Sequence, residues 1–152
     1  LVGSIRSTRS CICSAGCGRV SRAGVDGGCA CGQVRYRSKG SPFWSMHCHC
    51  QSCRNATGAA MTSFFGLGRG QVRWEGERRF HNSSPGTTRG FCARCGTPVL
   101  YMSTRWPGEV HIQAATLDDP TVFRPTAHVH WAERVSGLTW EDDLPKHPVS
   151  AP

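Results

Sequence analysis

Seven of the ten cysteines in this 152-residue chain fall into three tight clusters: Cys29-Ala-Cys31, Cys48-His-Cys50-Gln-Ser-Cys53 and Cys92-Ala-Arg-Cys95. Residues i and i+2 of an extended chain point to the same face, so Cys29 and Cys31 can offer both sulfurs to one ion. Cys92 and Cys95 have the spacing of a knuckle that folds round a metal. Gly32 and Gly96 directly follow the two pairs, where a positive φ is often needed. Four thiolates from two distant pairs make a closed structural set for zinc. Zinc there would staple an early strand to a late hairpin, with more effect the longer the loop it closes.

The third cluster supplies only three sulfurs, from Cys48, Cys50 and Cys53. Its fourth ligand must be a histidine, a carboxylate, water or substrate. His47 and His49 flank Cys48, but in an extended chain they point away from the sulfurs, which makes them neighbours of the site rather than ligands. Zinc with three protein ligands and one open position is the catalytic arrangement. A thiol substrate suits such a site, because zinc lowers a thiol's pKa and holds it as thiolate. Arg54 beside Cys53 and Arg94 inside the knuckle are candidates to orient an anionic substrate. His128 and His130 are expected to share a strand face, where one could act as acid or base.

The elements that must hold these residues are short. QVRYRS (33–38) alternates, with Val34 and Tyr36 on one face, which predicts a half-buried strand. PFWSMH (42–47) reads as a strand running into the three-cysteine loop, and QSCRNATG (51–58) as one or two helical turns ended by Gly58. Strands are expected in AAMTSFFGL (59–67), QVRWEG (71–76), RRFHNSS (78–84), TTRGFC (87–92), TPVLYMS (97–103) and EVHIQAA (109–115). TAHVHWAE (126–133) alternates and predicts one more, after a turn at TLDDP (116–120). With 18 glycines and nine prolines, the chain suits strands and turns better than long helices. The fold class is therefore mostly β: a small, complex β-sheet fold stapled by zinc, with irregular loops and little helix.

Residues 1–26 differ from the rest, being rich in Ser, Gly and Arg with no apolar period. They are expected to form a flexible head, whose Cys11, Cys13 and Cys17 lack a nearby apolar segment to hold them round an ion. The expected domain covers 27–148, and 149–152 form a tail. No stretch approaches the roughly 20 apolar residues of a spanning helix, so no membrane partner is expected. The formal charge is +8. Two zinc–thiolate sites and the arginine-bearing head account for most of that charge, leaving a body of about +2. That points away from nucleic acid. Clustered rather than dispersed cysteines, with no signal peptide, imply a reducing, cytoplasmic compartment.

GGCACGQVRYR (27–37), CHCQSCRNATGAA (48–60), SSPGTTRGFCARCGTPV (83–99) and ATLDDP (115–120) resemble, in order, the motifs of the glutathione-dependent formaldehyde-activating enzyme family, which includes centromere protein V. The resemblance spans about residues 27–148. It implies a mostly-β zinc fold, also seen in a small GTPase-binding chaperone. It implies two zinc ions per chain, a structural one at Cys29, Cys31, Cys92 and Cys95 and an active-site one at Cys48, Cys50 and Cys53. The activity it implies is condensation of glutathione with formaldehyde to S-hydroxymethylglutathione, formally a carbon–sulfur lyase in reverse. Two other readings fit the same residues. One is a zinc-stapled module that binds protein or nucleic acid without catalysis. The other is a thiol sensor cycling between reduced and oxidised states.

Overall fold

A computed structural model describes residues 24–151. Ten strands and one short helix follow in order: β1 (Asp26–Gly28), β2 (Arg35–Ser38), β3 (Trp44–Cys48), α1 (Gln51–Thr57), β4 (Thr62–Gly68), β5 (Val72–Glu75), β6 (Arg78–Ser84), β7 (Thr87–Cys92), β8 (Pro98–Ser103), β9 (Glu109–Gln113) and β10 (Ala127–Val129). They form a three-stranded sheet, β1-β2-β5, and a seven-stranded sheet, β10-β3-β4-β9-β8-β7-β6. Among these ten strands, β10 pairs with β3 in parallel and the other pairings are antiparallel. The mostly-β fold class expected from the sequence is what the structure shows.

Alternation gives the large sheet two unlike faces. Phe65 and Leu67 of β4, Leu100 of β8, and Val110 and Ile112 of β9 are buried together with Val25, Val34, Tyr36 and Val72 of the smaller sheet and its flanks. This is the apolar core between the sheets. The intervening residues face the other way: Trp44, Met46 and Cys48 of β3, Phe64 of β4, Tyr101 of β8, and Glu109 and His111 of β9 line a single cavity. The same strands therefore hold the fold together on one side and build a chamber on the other.

Local structure follows the sequence signals closely at β2 and the residue before it, where Tyr36 and Val34 are almost fully buried. It does so again at α1, which ends at Gly58 in left-handed backbone (φ 66°). The described structure includes residues before Gly27: Val25 is in the core and Asp26 opens β1. The expected strand over 126–133 is corrected. β10 stops at Val129, His130 turns left-handed (φ 54°, ψ 39°), and Trp131–Glu133 forms a 3₁₀ turn. The cause is a strap of residues 145–149. The amide of His128 donates to the Pro145 carbonyl (2.8 Å), that of His130 to Val149 (2.9 Å), and that of Trp131 to His147 (2.9 Å). The strap satisfies the outer edge of β10, and the chain must turn away to meet it. The head residues before Gly24, with Cys11, Cys13 and Cys17, lie outside the described residues. No helix among the described residues is long and apolar enough to cross a membrane.

Candidate metal centres and the cavity beside them

All seven described cysteines are free thiols. They gather into two sets, Cys29/Cys31/Cys92/Cys95 and Cys48/Cys50/Cys53, with the sulfurs of each set within 4.8 Å of one another. In the first set, Cys29 and Cys31 Sγ are 3.4 Å apart, and Cys31 and Cys92 Sγ are 3.8 Å apart. A tetrahedral zinc with bonds of about 2.3 Å requires sulfur separations of about 3.8 Å, so the four thiols fit the ion. Each pair sits in a turn closed by a glycine with positive φ, Gly32 (76°) and Gly96 (73°). The Gly32 amide donates to the Cys29 carbonyl (2.9 Å) and the Gly96 amide to Cys92 (3.0 Å). Further donors turn toward sulfur: the Val34 amide lies 3.2 Å from Cys29 Sγ. The Thr97 hydroxyl, 3.1 Å from Cys95 Sγ, and then the Thr97 amide hold that thiol down to about 5.

The second set is built where β3 runs into α1. Cys48 ends the strand, Cys50 is the N-cap residue whose sulfur accepts from the Cys53 amide (3.3 Å), and Cys53 lies in the first turn of the helix. Hydrogen bonds from the Cys48 and then the Cys53 thiol pull Cys50 down to about 2. The Cys50 sulfur in turn, followed by that of Cys53, holds Cys48 far above its ordinary range. Three sulfur charges this close cannot form together unless a cation joins them, so the donor chemistry fits a metal. No histidine or carboxylate among the described residues completes the set.

In front of these sulfurs is a cavity of about 300 Å³, lined by all three cysteines and by Trp44, Phe64, Tyr101 and Trp106. Its polar groups include Glu109, His111 and His130. A row of facing residues crosses the sheet here: Trp44 opposite Gly66, Gly66 opposite His111, His111 opposite Tyr101, Tyr101 opposite Arg89. Arg89 Nη2 donates to Ser52 Oγ (3.1 Å) and lies 3.7 Å from Cys53 Sγ, while its guanidinium covers the Tyr101 ring at 5.1 Å.

The histidines sort differently from the sequence expectation. His47 Nδ1 is 2.8 Å from Ser63 Oγ, and burial lowers its pKa. His49 is almost fully buried. Its Nε2 is 2.7 Å from His128 Nδ1, and His128 Nε2 is 2.9 Å from Asp142 Oδ2. Burial first, then the neighbouring His128, lowers His49 to about 4. The Asp142 carboxylate can only accept, so His128 Nε2 donates to it. His49 Nδ1 is buried with no partner among the described residues. His128 and His130 do not share a face. His128 is in this buried chain, whereas His130, turned by its left-handed backbone, lines the cavity and bonds Glu133 Oε1 (3.1 Å).

Arg54 is committed elsewhere. Its Nε donates to the His49 carbonyl (3.0 Å) and its Nη2 to that of Glu133 (3.1 Å), which pins the loop. Arg94 is exposed on the knuckle. The cation beside the three sulfurs is Arg89, which sequence reasoning passed over. It also missed the Glu109–His111 pair. The available signal was a polar i, i+2 pair inside the apolar run Glu109-Val110-His111-Ile112.

Fold and site together define a class: a two-sheet β protein that has, among the described residues, two cysteine centres able to hold metal ions, one enclosed by four sulfurs and one of three sulfurs opening on a cavity. Comparison with known proteins narrows the class. The family described as "Glutathione-dependent formaldehyde-activating enzyme" matches residues 24–133, and the chain belongs to that family. A Halomonas elongata protein that carries the family's name is 29% identical over 126 residues, covering 70% of this chain and 73% of its own. A crystal structure of a Rhodobacter sphaeroides protein is similar in fold, with a TM-score of 0.53 and 21% identity. That likeness covers 63% of this chain and 92% of the other.

Proposed function

We propose that this chain is a cytoplasmic, zinc-dependent enzyme that joins a thiol to a small aldehyde, with glutathione and formaldehyde giving S-hydroxymethylglutathione. The reaction is that of a carbon–sulfur lyase run toward addition. The observation that carries this reading is the three-sulfur set of Cys48, Cys50 and Cys53 on the wall of a cavity, with no fourth protein ligand among the described residues. Cys48, Cys50 and Cys53 would hold the ion, and zinc there would supply an electrophilic centre that keeps a thiol ionised at neutral pH. Cys29, Cys31, Cys92 and Cys95 would hold a second, structural zinc. The chain's own residues do the rest. Arg89 places a cation beside Cys53, and the aromatic walls of Trp44, Phe64, Tyr101 and Trp106 restrict water. A chamber of this size beside the sulfurs favours catalysis over a binding module, whose second zinc would be closed by a protein ligand.

The test is to measure zinc per chain and to follow S-hydroxymethylglutathione formation by NMR from glutathione and formaldehyde, for the wild type and Cys50→Ser. Turnover above the spontaneous rate in the wild type only supports the reading. Equal rates in both proteins refute it.

A further inference from the structure

We infer that His111 is the proton-transfer catalyst of this addition, oriented by Glu109; the inference rests on the thiol–aldehyde reading of the cavity. His111 Nε2 is 3.2 Å from Glu109 Oε2, and the same carboxylate oxygen accepts from Trp44 Nε1 at 3.2 Å. An ionised carboxylate has no proton to give, so the hydrogen between them belongs to Nε2. Nδ1 is thereby the basic nitrogen of a ring that lines the chamber. The ring is held on several sides. It stacks on Tyr101 (5.4 Å, 28°), meets Trp44 edge-on (4.5 Å, 87°) and packs beside Trp106 (5.1 Å). A ring so fixed has little reorganisation left to undergo when a proton arrives. Burial keeps His111 below the usual imidazole range, against the pull of Glu109, so at neutral pH it stands ready as a base.

The chemistry needs one such group. Addition of a thiol to an aldehyde consumes no net proton, but the proton must leave sulfur and reach oxygen. In the step assigned here the S–H bond breaks and its proton passes to Nδ1. The sulfur pair forms the S–C bond while the carbonyl π pair moves to oxygen. The proton then leaves Nδ1 to form the O–H bond, and His111 is restored. His111 and the three cysteines line the same cavity, so the proposed transfer runs through an adduct that spans it, directly or by way of one water. The titratable or charged groups facing His111 are Glu109 on its own strand, Tyr101 with Arg89 over its ring, His130 beyond β10, and the three cysteines.

The test is kinetic and spectroscopic. Glutathione and formaldehyde are turned over by the zinc-loaded protein from pH 5.5 to 8.5, glutathione binding is read by calorimetry, and the imidazole nitrogens of His111 are read by ¹⁵N NMR. In the wild type kcat should fall as the pH drops below the ordinary imidazole value of about 6.5, where His111 takes its proton from solvent, and the NMR should show the proton on Nε2 and none on Nδ1. His111→Gln should bind glutathione with little change in KM and lose turnover by about 10²- to 10⁴-fold in kcat. His111→Asn is the second variant, and Glu109→Gln should release the preference for the Nε2 proton. Wild-type kcat in both His111 variants, or a proton resident on Nδ1 in the wild type, overturns the role of His111 and leaves the thiol reading standing. Absence of glutathione binding to the wild type overturns both.

Discussion

The indole of Trp44 lies over the backbone of Gly66, where a β-carbon would fall 2.4 Å from its Cε2 and Nε1 atoms. No side chain fits there, and the missing side chain is what lets the ring cross β4 to meet His111 and Glu109. Gly66→Ala should therefore expel the indole and cost about 1–3 kcal/mol through overpacking. The check is the indole N–H resonance of Trp44 together with thermal unfolding. An unshifted resonance in the variant would mean that the ring does not depend on this glycine.

Cys50→Ser and Cys95→Ser should behave in opposite ways. Serine is a strong N-cap and can replace the Cys50 sulfur as acceptor for the Cys53 amide, so α1 and the fold should persist while the zinc of the second set is lost. Cys95 belongs to the set that ties β1–β2 to the β7–β8 knuckle. Structural zinc contributes apparent free energies of about 10–16 kcal/mol in small domains, against a typical total stability of about 5–15 kcal/mol. Cys95→Ser should therefore fail to fold. Zinc per chain and far-UV circular dichroism read both outcomes; a folded Cys95→Ser protein would remove the structural assignment.

Arg89→Gln should weaken zinc at the second set by about 10- to 100-fold and leave the first set unchanged, since outer partners of metal ligands carry effects of that size. The motive is the Arg89 guanidinium 3.7 Å from Cys53 Sγ. Competition with a chromogenic chelator resolves the two ions by affinity. Identical release curves for the wild type and Arg89→Gln would show that the contact does not tune the site.

His111 should also leave a mark on stability. Its folded pKa lies below the ordinary imidazole value because of burial, so the unfolded chain binds the extra proton first as pH falls. Stability from this group is full above the ordinary value of about 6.5 and declines as pH drops below it, with a slope of up to about 1.4 kcal/mol per pH unit. The difference between the wild type and His111→Gln, measured by denaturant unfolding from pH 7.5 to 5.5 in saturating zinc, cancels the cysteine contribution. The wild-type curve should fall more steeply, and parallel curves would rule out a buried neutral His111.

What the sequence revealed depended on how local the determinant was. Spacing alone grouped the seven cysteines, and alternation alone placed Val34 and Tyr36 inside. Gly58 marked the end of α1 because a helix end is a local event. Arg89 could not be found in that way. It reaches Cys53 through a register that aligns β7, β8, β9, β4 and β3, and no single segment encodes that register. The same holds for His49, whose burial follows from parallel pairing of β10 with β3 and the strap outside it. Arg54 misled because adjacency to Cys53 does not say where a long side chain goes; two backbone carbonyls claim it.

The division of the large sheet into two faces has a consequence for how such a chain can change over generations. Along β4, β8 and β9, neighbouring positions answer to different demands, one to cohesion and the next to whatever occupies the chamber. Replacements at positions 64, 101, 109 and 111 can redraw the chamber while 65, 67, 100, 110 and 112 stay as they are. A lineage built on this sheet could pass from one occupant to another by small steps, each borne by a scaffold that scarcely registers them.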